Sequence, residues 1–365
     1  MDADAAWEEF LDADCEEQSS IESSNQYDTE INDGAPQCSP IYISTKTKIA
    51  YLNSEVPLER MFWALPVHKS YSVAQEGIIK KEMKFKSLSQ EALQEILDNV
   101  AKIPEGPVVE QQIKLHLNKD DGNVRFKDIR KISVGLCKKQ LTSFRTKAKG
   151  AFFNCFAVIL RVLWDGTFRE MHIKVFNTGK LEIPGIPGDR TDEFLHTVLT
   201  CLVKVLKPLS NDIGLEYPLE FRKDCNETVL TNSNFSANYL IDREMLTTIL
   251  KTKYRILSTY DPCSYPGVQS KFYYVPSRAI QNGRPLSEEE TDAKVHHIIV
   301  PFMIFRTGSA LIVGKFDDNV LHIVYEFATS VLRDEYNLVQ AGVAEEKQQQ
   351  TQRKRKKRFV MMPKI

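Results

Sequence analysis

Two ten-residue stretches decide how this chain folds: FNTGKLEIPG at residues 176–185 and FRTGSALIVG at residues 305–314. Aligned, they share Phe at the first place, Thr-Gly at the third and fourth, Ile at the eighth and Gly at the tenth. Each reads as the tip of a β-hairpin. MHIKVF leads into Thr178-Gly179 and out through LEI; VPFMIF leads into Thr307-Gly308 and out through ALIV. Glycine supplies the positive φ that such a turn requires.

A helix pattern follows each hairpin. DEFLHTVLTCLVKVL (192–206) aligns without gaps on DNVLHIVYEFATSVL (318–332). Leu195, His196, Val198, Val205 and Leu206 pair with Leu321, His322, Val324, Val331 and Leu332, and both stretches carry apolar residues at helical spacing. The repeat is therefore strand, Thr-Gly turn, strand, Gly, helix, which predicts a duplicated unit with internal pseudo-twofold symmetry. Upstream of the second copy, TVLTNSNFSANYLI reads as a strand. In IDREMLTTILKTKY, Asp242 is a candidate cap, with Met245, Leu246, Ile249 and Leu250 on one face. STYDPCSYPGVQSKFYYVP reads as an extended segment broken at Pro262 and at Pro266-Gly267, followed by a long loop at about 276–294. Upstream of the first copy lie a strand and helix (IYISTKTKIAYL, PLERMFWAL), the strand EGIIKKEMKF and the buried strand AFFNCFAVILRVLW.

The chain has 365 residues, room for two ordinary domains or one duplicated one. Its net charge of −1 hides an asymmetry: residues 1–36 carry twelve acids and no Lys or Arg, leaving 48 basic against 37 acidic residues in 37–365. QRKRKKR at 352–358 holds part of that excess and reads as a phosphate-binding arm or nuclear-import signal. The seven cysteines form no CxxC pair, which argues against a zinc site or disulfide framework and for buried free thiols in a reducing compartment. No apolar run is long enough to cross a membrane as a helix. GxGxxG, P-loop, HExxH and GxSxG motifs are absent; His296-His297 are strand neighbours that face opposite sides, and SEEETD reads as solvated charge in a loop. No enzyme, cofactor, metal or small-molecule substrate is expected. The organisation expected is an acidic disordered segment 1–36, a first repeat 37–208 with an insertion at about 84–150, a second repeat 209–340, and a basic disordered segment 341–365.

These elements, in this order and repeated twice, resemble the TATA-box-binding protein family, and most nearly the divergent TATA-binding-like proteins of large nucleocytoplasmic DNA viruses. STYDPCSYPGVQSKFYY is similar to the family's stirrup segment, where an acidic residue and Pro precede an aromatic-Pro-Gly; MIFRTGSALIVG is similar to its Thr/Ser-Gly strand pair. The resemblance covers 228–336 well, 151–206 fairly and 41–63 loosely. It implies an α+β saddle: two repeats forming one curved antiparallel sheet, helices on the convex face and the DNA minor groove on the concave face. The function implied is that of a transcription initiation factor that binds the minor groove. Implied partners are double-stranded, AT-rich promoter DNA, general transcription factors and RNA polymerase, in the nucleus or, for a viral protein, in the host nucleus, viral factory or virion.

The resemblance also assigns residues. Phe176 and Phe305 fall at wedge positions. Period-2 alternation independently puts Phe176 on a polar face with His172, Lys174, Lys180 and Glu182, opposite Met171, Ile173, Val175, Leu181 and Ile183. The partner wedge is Tyr265 in the second repeat; in the first it is Phe153 or Cys155, with Phe153 preferred. Asn232 matches the family's groove-reading Asn, with Asn234 nearby and Ile41 in its place in the first repeat. Met303, Leu311 and Val313 are apolar groove contacts, where the first repeat has Lys174, Glu182 and Pro184. Asp261 falls at a partner-binding position. Glu182, without an obvious partner, together with Pro184 and Ile41, favours the alternative of a protein scaffold that recruits transcription partners without specific DNA binding.

Overall fold

The computed structural model describes residues 34–68, 75–104, 108–113, 116–117, 124–142, 154–223 and 225–341. They fall into two units, one of residues 46–228 and one of residues 229–341 with 34–45.

The first unit takes the greater part of β1 (Tyr42–Tyr51), then α1 (Leu58–Ala64), β2 (Gly77–Ser87), α2 (Gln90–Ala101), β3 (Val108–Ile113), β4 (His116–Leu117), β5 (Val124–Arg125), β6 (Asp128–Gly135), α3 (Lys138–Thr142), β7 (Cys155–Trp164), β8 (Thr167–Phe176), β9 (Lys180–Pro187) and α4 (Thr191–Leu206). Its strands are ordered β1-β9-β8-β7-β2-β6-β3, while β4 and β5 pair separately. Alternation decides which side of the sheet is core. Phe156, Val158, Leu160, Met171, Ile173, Val175, Leu181 and Ile183 pack with Met61 and Phe62 of α1 and with Phe194, Val198 and Leu202 of α4. Ile213 and Leu219 join the same core, so the chain beyond residue 208 still belongs to this unit. The boundary expected at residue 84 falls inside β2, which pairs with β7 on one side and with β6 on the other. The extra segment is therefore not set apart from the sheet: β6 and β3 continue it at the β2 edge.

The second unit contains β10 (Glu227–Ser236), α5 (Arg243–Ile249), β11 (Leu257–Asp261), β12 (Tyr265–Tyr274), α6 (Glu288–Asp292), β13 (Ile298–Ile304), β14 (Ser309–Gly314), α7 (Asp318–Asp334) and α8 (Tyr336–Val339). Strand order is β11-β12-β13-β14-β10, and all four pairings are antiparallel. Phe235, Val268, Phe272, Val300, Phe302, Ile304, Ala310 and Ile312 pack against Leu246 and Ile249 of α5 and Val320, Val324 and Val331 of α7. Asp242 caps α5 as its position implies, its Oδ1 accepting from the backbone N–H of Glu244 and Met245 at 3.0 Å each. Met245, expected on the apolar face, is instead exposed. Pro266-Gly267 does not break the chain, because the turn closes earlier, at residues 262–264, and both residues lie within β12. SEEETD is not a plain loop either: Ser287 and Glu290 form a reciprocal capping box on α6. Hydrogen bonds from Arg278 and from the Ser287 backbone then bring the Glu290 carboxyl down to about 2.

The two units repeat one hydrogen-bonded frame. In the first, Leu52 N–H donates to Gly179 O and Val56 N–H to Asn177 O, both at 2.8 Å. In the second, Ala237 N–H donates to Gly308 O and Ile241 N–H to Arg306 O, again at 2.8 Å. Each turn also closes on its Phe, through Gly179 N–H to Phe176 O and Gly308 N–H to Phe305 O, both at 3.0 Å. Gly179 and Gly308 have φ of +79° and +83°. A Cβ on either would stand 2.4 Å from a carbonyl oxygen, that of Ser54 or of Tyr239. Across their sheets, β2, β7, β8, β9 and β1 follow the same order as β11, β12, β13, β14 and β10.

Candidate functional site

In the second unit the strand residues that point away from α5 and α7 form a separate apolar cluster. Tyr265, Met303, Phe305, Leu311 and Val313 make up its buried part, and Leu230 packs on its margin. Register explains the grouping. Met303 lies opposite Leu311 on β14 and opposite Gln269 on β12, and Val313 lies opposite Asn232 on β10. Side chains alternate along each strand, so these residues share one face. Tyr265 and Phe305 meet at 5.9 Å between ring centroids, inclined by 54°. They meet over Gly267, where an added Cβ would come within 2.9 Å of the Phe305 ring. All the second-unit positions singled out in the sequence except Asp261 are thus brought to one face.

Asn232 is half-buried between strands. Its Nδ2 donates to Thr45 Oγ1 at 2.9 Å, while its Oδ1 is a buried acceptor with no hydrogen-bond partner. Rotating the amide by half a turn lets the Thr45 hydroxyl donate to Oδ1 and leaves an NH2 donor where the unpartnered oxygen stands. Asp261 is occupied locally: its carboxylate accepts from Cys263 N–H at 2.9 Å and from Ser264 Oγ–H at 2.8 Å. Those bonds hold it below the usual carboxylate range while it shapes the β11–β12 turn. Arg243 supports this hairpin from α5, donating to Pro266 O at 2.6 Å and lying over the Tyr260 ring.

The corresponding face of the first unit is built differently. Phe176 closes β8 where Phe305 directly follows β13, with Lys180 Nζ 5.3 Å from the centre of the Phe176 ring. Phe153 lies outside the described residues; the residue directly opposite Phe176 is Cys155, which is buried. Glu182 has a partner, contrary to the expectation from sequence. It lies directly across from Lys174, whose Nζ donates to Glu182 Oε1 at 2.8 Å. Further along the sheet Arg161 pairs with Glu170 at 3.3 Å, and Glu82 takes Lys80 at 3.0 Å and Lys131 at 3.7 Å. Burial raises the Glu82 carboxyl, but Lys80 and Lys131 outweigh it and keep it below its ordinary value. The face is a lattice of ion pairs, three of these four between strands, in which the four cations named outnumber the three carboxylates.

The repeated frame also corrects one correspondence. Leu52 and Val56 stand to the first turn as Ala237 and Ile241 stand to the second, 185 residues later. Asn232 therefore matches Thr47 and not Ile41, which packs into the core of the second unit. Leu230 and Gln269 are face residues that sequence reasoning missed; counting two from Asn232 and from Gly267 would have found them. Thr45 could not be found that way, because β1 and β10 are joined only by the fold.

Of the described cysteines, Cys155 and Cys201 are buried, and burial pushes the Cys201 thiol up to about 11; Cys225 and Cys263 are exposed. Among the described residues no three of His, Cys, Asp or Glu converge as a metal site, and no helix is long and apolar enough to cross a membrane. The acidic segment and QRKRKKR lie outside the described residues.

The sequence matches no protein-family model and no curated protein. Among solved structures it is similar to Methanococcus jannaschii TBP, at 11% identity over 82% of this chain and 99% of that one, with a TM-score of 0.35.

Proposed function

We propose that this chain is a non-enzymatic minor-groove DNA-binding protein that acts as a TATA-binding-like transcription initiation factor. The observation that carries the reading is the apolar face of the second unit, with Tyr265 and Phe305 meeting at its end above Gly267. A face of this kind suits the minor groove. Apolar side chains displace groove water, and an aromatic wedge unstacks a base step at a cost of a few kcal/mol, offset by the contacts that bent DNA permits. The Asn232 amide, turned to present NH2, matches the adenine N3 and thymine O2 acceptors of A·T pairs. The repeated frame supports reading the two units as copies of one structural repeat. The basic excess of residues 37–365 suits phosphate contact, with general transcription factors and RNA polymerase as further partners, in a nucleus or viral factory.

One observation favours a scaffold that recruits transcription partners without specific DNA binding: where the second unit has Met303 and Leu311, the first has the ion pair Lys174–Glu182. Titrating AT-rich and GC-rich duplexes across salt separates the two. The DNA reading requires tighter binding to the AT-rich duplex and an affinity that falls with salt; equal, negligible binding to both supports the scaffold.

The ion pair gives its own test. Glu182→Gln removes one carboxylate and releases Lys174 toward phosphate. Binding is expected to tighten about 2–5-fold at low salt, with a salt slope steeper by about one. An unchanged affinity and slope would place this part of the first unit outside the DNA contact.

A further inference from the structure

The connection between β12 and β13 is far longer than the fold requires. In the first unit the corresponding strands, β7 and β8, are joined by Asp165 and Gly166 alone. In the second unit residues 275–297 lie between the two strands. Connections of that length in a compact unit commonly carry a function of their own. This one is cross-braced. Arg278 donates to the Glu290 carboxylate through Nε at 2.9 Å and Nη2 at 2.5 Å, and to the carbonyls of Arg284 and Pro285 at 2.9 and 3.1 Å. Gln281 ties Val275 twice, accepting from its N–H at 3.1 Å and donating to its carbonyl at 2.8 Å. Gly283 closes over Phe272 and Ile256, both in the core shared with α5 and α7, so the loop lies on the helix side of the sheet and not on the apolar face.

Between this loop and Arg255, just after the helical turn Leu250–Tyr254 that follows α5, opens a cleft of about 560 Å³. Its wall is rich in donors. Arg278 and Glu290 neutralise each other there. Arg284 gives its Nε to Tyr254 O at 3.2 Å, which fixes the guanidinium and leaves both terminal nitrogens without a partner among the described residues. Asn282 Oδ1 accepts from Arg284 N–H at 3.1 Å and from Arg278 Nη1 at 3.5 Å, so the amide keeps its NH2 as a donor. The Arg255 side chain is exposed and has no hydrogen bond, ion pair or ring contact among the described residues. Its φ is +58°, at a helix end that glycine fills without strain. Glu288 and Glu289 stand exposed on α6 and do not line the cleft. The surplus is two guanidinium groups and an amide, with no lining carboxylate left to oppose them.

We propose that this cleft binds a phosphorylated serine or threonine of a partner protein, held between Arg255 and Arg284. A phosphate monoester brings close to two negative charges and three acceptor oxygens, and planar guanidinium groups meet it in forked, charge-assisted pairs. The bracing of the loop matters here, because a site already ordered has little conformational entropy left to lose on binding. The cleft opens broadly to solvent. That suits a side chain presented on a passing chain better than a small free ligand, which a pocket commonly encloses. Ile280, two residues from Arg278, is 78% exposed and offers an apolar contact to residues beside the phosphate. The site lies on the helix side, so a phosphorylated partner there leaves the apolar face open, and the proposal does not depend on what that face binds.

The test uses the full chain and a fluorescein-labelled heptapeptide with a central phosphoserine, a leucine two residues before it and glycine elsewhere, read by anisotropy. Arg255→Ala and Arg284→Ala are each expected to weaken binding by about tenfold or more. Arg284→Lys keeps the charge and loses the fork, and is expected to fall between Arg284→Ala and the parent. Circular dichroism checks that each variant is folded. The same peptide with plain serine is expected not to bind, and a saturating AT-rich duplex is expected to leave phosphopeptide binding unchanged. No phosphopeptide binding by the parent overturns the proposal. So does binding that survives both alanine substitutions, since other cations of the chain then hold the peptide. Equal binding of a peptide with glutamate in place of phosphoserine overturns the phosphate assignment in favour of a carboxylate site. Displacement by inorganic phosphate at the peptide's own working concentration overturns the partner-protein source in favour of a free anion. Displacement by the duplex overturns the proposal by making the cleft a DNA contact, whereas a duplex that does not bind at all counts against the DNA reading and leaves this one standing.

Discussion

Replacing Phe305 by alanine is expected to weaken binding of an AT-rich duplex by roughly 10–100-fold and to reduce its bend. The range follows from the loss of about 1.5–3 kcal/mol of apolar contact for one buried Phe. Phe305 adjoins Tyr265 and sits above Gly267, so the substitution removes one of the two rings at the end of the apolar face. Phe305→Leu keeps much of the apolar volume and is expected to fall between the two. Phe176→Ala is expected to act in the same direction but less strongly, because the neighbours of Phe176 are Lys180, Cys155 and the Lys174–Glu182 pair and not an apolar cluster. Duplex anisotropy and end-to-end energy transfer read affinity and bend, and circular dichroism checks that each variant is folded. Parent-like affinity and bend in folded Phe305→Ala would remove this face from DNA recognition.

The second large effect concerns stability. Gly308→Val is expected to lower the melting temperature by roughly 6–12 °C, corresponding to about 3 kcal/mol in a unit of this size. Two costs add. A β-branched residue at φ +83° is strained by more than the ~1–2 kcal/mol of an ordinary left-handed residue, and its Cβ would stand 2.4 Å from Tyr239 O. That carbonyl belongs to the segment whose Ala237 and Ile241 N–H groups hold the turn, so relief of the clash breaks the frame. Gly179→Val meets the same geometry against Ser54 O and is expected to cost a similar amount. Calorimetry compares them directly; a change below about 1 °C in either would show that the turn relaxes without strain. Gly185→Ala serves as the control, since Gly185 also has a positive φ, +77°, but nothing lies within 4 Å of its Cβ position.

Much of this was legible in the chain. The two Thr-Gly turns were readable because glycine is needed at positive φ, and the strands flanking the first because one face alternates apolar while the other does not. In the first repeat that alternation set Phe176 apart from Ile173, Val175 and Leu181; Met303, Phe305, Leu311 and Val313 were assigned by the resemblance, and the cluster they form follows from register. The Lys174–Glu182 pair was readable in principle, since a turn centred on Thr178 sets those two residues opposite; it was missed because the two residues were weighed singly. Other features depend on contacts that sequence spacing does not encode. β2 continues through residue 84 because β7 and β6 pair with it on both sides. The resemblance set Ile41 in the place of Asn232, whereas the hydrogen bonds of Leu52 and Val56 put Thr47 there. The Thr45 hydroxyl that holds the Asn232 amide comes from 187 residues away, and no local pattern announces it.

The most direct measurement is the 13C-methyl spectrum of the protein with labelled methionine, recorded as an AT-rich duplex is added. Met303 lies at the centre of the proposed DNA face, whereas Met61 lies fully buried in the core of the first unit. Met303→Leu assigns the signal by its disappearance. The account predicts that the Met303 methyl resonance shifts in step with duplex binding while that of Met61 stays in place. Duplex binding that leaves the Met303 resonance unmoved would contradict it.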